Sequence, residues 1–75
     1  MKVKLSELDA LHGKEPKDVY ELAKRIGFRV IAYSPPLPQK LFVGALYMSV
    51  RDDVVQNVWA NEGAIIFDEI KIDFA

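Results

Sequence analysis

Histidine is the most versatile acid–base and metal-binding side chain, and the sequence holds one, His12, with Asp9 three positions earlier. One imidazole and one carboxylate fall short of the three or four ligands of a zinc site. A surface or cap histidine is the expected role. Adjacent carboxylates occur at Asp52-Asp53 and Asp68-Glu69. Neighbouring residues on a strand point to opposite faces, so neither pair converges on a metal or a scissile bond unless it sits in a turn. An Asp-Asp turn has an ordinary backbone explanation. Ser6, Ser34 and Ser49 have no His or Lys placed to activate a hydroxyl. The glycines are isolated, which excludes a phosphate loop. With no cysteine there are no disulfides, thiolate metal sites or thiol nucleophiles. The inventory therefore predicts no enzymatic activity, no cofactor and no metal.

The elements that carry these residues follow from periodicity. Val3 and Leu5 alternate with Lys2 and Lys4, as in a short strand. Ser6-Glu7-Leu8-Asp9 has the form of a capping box opening a short helix over 7–12, stopped by Gly13. Pro16 suits a first helical position. Val19, Tyr20, Leu22, Ala23 and Ile26 then share one apolar face, Lys17–Glu21 and Glu21–Arg25 are spaced for ion pairs, and Gly27 can end the helix. The spacing predicts a helix over 16–26. After Gly27 the period becomes two, predicting a strand over 28–33. Ser34-Pro35-Pro36-Leu37-Pro38 reads as a stiff connector, because three prolines remove three amide donors. Leu41–Val50 reads as a second strand with a bulge at Gly44. Asp52 and Asp53 could open a helix, but three valines and Trp59 favour a strand over 54–60 after an Asp-Asp turn. Asn61-Glu62-Gly63 looks like a hairpin loop with a left-handed glycine. A last strand would use Ala64–Phe67 and then Ile70, Ile72 and Phe74. The expected fold is α+β: two N-terminal helices packed on an antiparallel meander of about four strands, in one domain spanning 1–75.

Composition bounds the function classes. The 75 residues are 51% hydrophobic with net charge −1, which excludes a disordered chain. No apolar run approaches the ~20 residues of a membrane span, so no membrane partner is expected. The start Met1-Lys2-Val3-Lys4-Leu5-Ser6-Glu7 lacks the form of a secretory signal. The expected location is the cytoplasm, or the host cytoplasm if a phage encodes the chain. Residues 1–40 carry eight Lys/Arg against five Asp/Glu, and residues 41–75 carry two against six.

Two short motifs have bland alternatives. Leu22, Ala23, Ile26 and Gly27 resemble the first helix and turn of a helix-turn-helix. The second helix would meet Pro35-Pro36 too early to fill a major groove, so a plain helix-turn-strand is preferred. Pro35-Pro36-Leu37-Pro38-Gln39-Lys40 resembles the proline-rich core that SH3 domains bind, but prolines also simply stiffen a loop.

The stronger signal is an apolar excess. A helix of 11 residues covers about 16 by 10 Å, whereas four strands span about 19 Å. Two helices cover one sheet face. The other would carry Ile31, Tyr33, Trp59, Phe67 and one parity of 41–50, unless the N-terminal strand or the proline connector lies over it. Patches of this kind mark interfaces, and Tyr and Trp are enriched at hot spots. The chain is therefore expected to be a non-catalytic protein-interaction module, with Tyr33, Tyr47, Trp59 and Phe67 as anchors. It would be a small regulator or inhibitor, such as mobile elements encode, docking on a larger protein or self-associating. The alternative is nucleic-acid binding through Lys17, Lys24, Arg25 and Arg29 or through bases stacked on the sheet aromatics. The acidic second half disfavours it.

Overall fold

A computed structural model describes residues 2–68 of the chain. Its most regular element is α2, Pro16–Ile26, which begins and ends as its sequence dictates. Pro16 occupies the first turn, and a capping box closes behind it: Glu15 accepts from the Asp18 amide, and Asp18 accepts from the Glu15 amide at 3.2 Å. At the other end Gly27 is left-handed (φ 76°), and the Phe28 amide donates back to the Ala23 carbonyl at 2.8 Å. This Schellman-type closure reverses the chain tightly into the next strand.

The remaining elements are β1 (Val3–Lys4), α1 (Leu5–Asp9), β2 (Arg29–Ala32), β3 (Ala45–Arg51), β4 (Val54–Ala60), a 3-10 turn (Glu62–Ala64) and β5 (Ile65–Ile66). This is a small α+β domain with two helices and mixed strand pairing. β2, β3 and β4 form one sheet in that order, and β1 and β5 form a second.

The meander is realised only between β3 and β4. β2 runs parallel to β3, and β5 leaves β4 to pair in parallel with β1. The parallel pairing has a clear cause. Parallel neighbours need a crossover of about a dozen residues, and residues 33–44 supply one, stiffened by prolines. The expected hairpin at Asn61-Glu62-Gly63 does not form, since Gly63 does not take a positive φ. Instead Asn61 Oδ1 accepts from the Gly63 amide at 2.9 Å and the Ala64 amide bonds the Asn61 carbonyl. The resulting turn steers the chain away from β4. Ile70, Ile72 and Phe74, expected to continue the last strand, lie outside the described residues.

Three smaller corrections have local causes. α1 starts at Leu5 with Lys4 as its cap residue, so Ser6 is not the cap and its hydroxyl is used elsewhere. β3 starts at Ala45, not at Leu41: Gly44 at φ 81° ends the connector, and the register shift lies between Ser49 and Val50, leaving Gln56 extra on β4. The solvated pairs on α2 differ from the expected ones. Lys17 meets Glu15 at 3.4 Å and Arg25 meets Glu7 of α1 at 3.1 Å.

The Asp52-Asp53 turn is as expected and tighter. Arg51 opposes Val54, so the loop has two residues, with φ 53° and 62°. Both values belong to a type I′ turn, which matches the twist of the strands it joins.

The core lies between the helices and one sheet face. Leu8 and Leu11 from the α1 region and Val19, Leu22 and Ala23 from α2 meet Phe28, Leu46, Met48, Val55 and Val58. Ile26 and Val30 are half-buried against it. α1 lies over β1 and β4, and α2 over β2 and β3.

Two stability predictions follow from this packing. Leu46 is fully buried at the centre, so Leu46→Ala is expected to cost about 2–5 kcal/mol in urea denaturation. Asp53→Gly relieves a left-handed L-residue in a turn that favours glycine. It is expected to raise stability by about 0.5–1 kcal/mol; an unchanged or lower midpoint would contradict the turn assignment.

Candidate interaction surface

β3 is buried on both sides. Leu46 and Met48 face the helices, while Ala45, Tyr47 and Ser49 face the other way and are also buried. What covers them is the proline connector. The Tyr47 hydroxyl accepts from the Phe42 amide at 2.9 Å, and Asn61 Nδ2 donates to the Leu41 carbonyl at 2.7 Å. Pro35 lines an open cleft with Ser49 and Asn57, and Leu37 lines another with Tyr33 and Trp59. The connector thus occupies the face that two helices could not cover.

Three of the four expected anchors are brought together: Tyr47 opposes Trp59 across β3 and β4, and Trp59 shares a cleft with Tyr33. Tyr47, at 3% exposed, is a core residue of the connector side and is unavailable as a surface anchor. Tyr33 and Trp59 are half-buried and line a cleft of about 370 Å³ with Leu37, Asn57, Asp9 and His12. Phe67 is 56% exposed, but it follows β5 and lies off the three-stranded sheet.

Two features missed at the sequence level complete the surface. The connector, after covering Tyr47, presents Phe42 and Val43 outward at 63% and 70% exposure. They line a second cleft of about 590 Å³ with Phe28, Arg29 and Ile31. This cleft lies on the connector side, at the start of β2. On the helix side Tyr20 is 55% exposed. The Asp18, Glu21 and Arg25 flank of α2 lines the groove against α1. Tyr20 and Lys24 lie outside that groove, on the exposed part of α2.

Between these layers runs an open strand edge. The Arg29 amide donates to Gly44 and the Tyr33 amide to Met48, so residues 29, 31 and 33 bond toward β3. In a parallel ladder the intervening residues point the other way. The N–H and C=O groups of Val30 and Ala32 therefore face outward, with no backbone partner among the described residues. The far edge of the sheet differs. Val55 of β4 exchanges two backbone bonds with the α1–α2 loop, from Gly13 at 2.9 Å and to Lys14 at 2.8 Å.

Of the candidate cations, Lys17 and Arg25 are engaged with Glu15 and Glu7, and the Glu15 carboxylate raises the Lys17 pKa. Lys24 and Arg29 make no ion pair among the described residues. His12 is exposed at the rim of the Tyr33–Trp59 cleft, and Asp52 and Asp53 are exposed in their turn. No group of three metal-ligating side chains occurs among the described residues. No described helix is long and apolar enough to cross a membrane.

A scan against protein-family models finds no match, and searches of the curated proteins and of the solved structures likewise find none.

Beside Phe67, Asp68 fastens the end of β5 to the start of α1. It accepts from the Ser6 hydroxyl at 2.6 Å and from the Ser6 amide at 3.1 Å. These bonds, helped by Lys4, hold its carboxyl below the usual aspartate range. A depressed folded pKa adds stability that is present above the unfolded value and is lost as pH falls through the folded one. Wild type should therefore lose this increment on acidification below about pH 4. Asp68→Asn should be the less stable protein at pH 7, with the gap closing toward pH 3. A gap that stays constant with pH would refute the clamp.

Proposed function

We propose that this chain acts by protein–protein contact and performs no catalysis of its own, as a small regulator or inhibitor that docks on a larger protein. The observation that carries the reading is the open side of the sheet. Among the described residues β2 has a strand neighbour on one side only, and exposed Phe42 and Val43 share a cleft with its Arg29 and Ile31. Single exposed apolar residues need no explanation, but two of them lining one cleft with Phe28 and Ile31 do. The display is also ordered, because the Phe42 amide is tied to the Tyr47 hydroxyl.

The arrangement of polar groups supports the non-catalytic half of the reading. The Ser6 hydroxyl bonds Asp68 directly, with no general base between them. The cytoplasm, or a host cytoplasm, suits a chain without cysteine.

The test pairs stability with association. Phe42→Ser/Val43→Ser is expected to melt within a few degrees of wild type, since both side chains are exposed. The same variant should lose a partner that wild type retains from native lysate. Loss of a true anchor costs about 2 kcal/mol or more of binding, a roughly 30-fold fall in affinity. Equal retention by variant and wild type would refute this surface.

A further inference from the structure

We propose that the cleft of Tyr33 and Trp59 is a second binding site, for a methylated ammonium group. It shares no lining residue with the Phe42–Val43 cleft, so it goes beyond the contact surface above.

Three parts of the fold build it. β4 places Trp59 opposite Tyr47, on the connector side of the sheet. Tyr33 follows β2, its amide bonded to the Met48 carbonyl, and the connector then adds Pro35 and Leu37. α1 packs over β4 and brings Asp9 to the same cleft. Two aromatic rings and one carboxylate therefore line a single space of about 370 Å³. A space of that size admits a small ligand.

Charge gives the sign of the occupant. The described lining holds one carboxylate and no lysine or arginine. The Asp9 side chain makes no ion pair or hydrogen bond among the described residues. It also closes α1, at the end where the helix macrodipole favours a cation, with no basic residue in the last turn. A bound cation offsets both. Aromatic rings attract the same sign, because their faces are electron-rich.

Desolvation selects among cations. A lysine ammonium is strongly hydrated and needs acceptors for three donors. Away from exposed Asp9 the walls are largely apolar: the two rings, Pro35, Leu37 and Val58. A fully methylated ammonium has no donors to satisfy and presents methyl groups to such walls, while its charge meets the rings and the carboxylate.

The sequence contains one tryptophan, so its fluorescence reports this cleft directly. Wild type would be titrated at constant ionic strength with choline and with neohexanol, its uncharged carbon isostere. Choline is expected to saturate the Trp59 signal, with the isostere about tenfold weaker, as loss of a cation–π contact implies. Asp9→Asn and Tyr33→Leu should each weaken choline several-fold. Asp9 is exposed, so Asp9→Asn should melt with wild type. The comparison of choline with neohexanol uses wild type alone and stands even if Tyr33→Leu fails to fold. A peptide carrying trimethyllysine, beside its unmethylated form, separates the sources: binding tighter than choline assigns the site to a modified protein, and weaker binding to a free small molecule. Phe42→Ser/Val43→Ser should bind choline as wild type does. No saturable signal with choline or the peptide, equal binding of neohexanol, or undiminished binding by Asp9→Asn would overturn the site and leave the protein-contact reading standing.

Discussion

The fold depends on how residues 33–44 are held across the sheet. Two bonds pin that crossing where it returns to β3: the Phe42 amide to the Tyr47 hydroxyl, and Asn61 Nδ2 to the Leu41 carbonyl. Each draws on an element already in the sheet, so the connector and the β3–β4 pair stabilise one another. The return path brings β3 alongside β2 in the same direction, and it buries Tyr47. It also sends β3 to one side of β2 only, so β2 remains an edge. The pairing direction, the second buried face and the open strand have one cause.

That cause explains how a domain of this size holds together without a disulfide. A domain of this size buries a modest fraction of its surface, and each residue covered on both sides counts heavily. β3 achieves this for Ala45 through Ser49 by placing helices on one face and a loop on the other. The arrangement has a cost at Ser49, whose hydroxyl is buried without a hydrogen-bond partner. The two sheet edges are treated differently. The α1–α2 loop bonds β4 at Val55, while β2 has no such backbone cover among the described residues.

Local signals were legible wherever one residue type has one conformational meaning. Pro16 and Gly27 bound α2, and strand residues 54–60 follow a two-residue aspartate turn, as their patterns imply. Long-range pairing was not legible. Whether β2 meets β3 in parallel depends on the path of the connector, and a proline run specifies stiffness without direction. Tyr47 illustrates the consequence. On alternation alone it belongs to the face opposite the helices, and it does. Its burial follows from a bond to Phe42 that no periodicity encodes. Gly63 misled for a related reason: its neighbour Asn61 offers the backbone a different turn through its own side chain.

Phe42 and Val43 are exposed on the stretch of connector that is tied down: Leu41 bonds Asn61 through its carbonyl, and the Phe42 amide bonds Tyr47. A loop needed only as a cover would turn its largest apolar side chain inward beside Tyr47. Here the backbone of Phe42 is fixed inward by the tyrosine hydroxyl while its ring points to solvent. Holding a large apolar side chain in water gives no folding energy. Fixing it in one place does lower the entropy lost when a partner covers it. The same bond that closes the domain's second face therefore holds in place the residues through which we propose that contact is made.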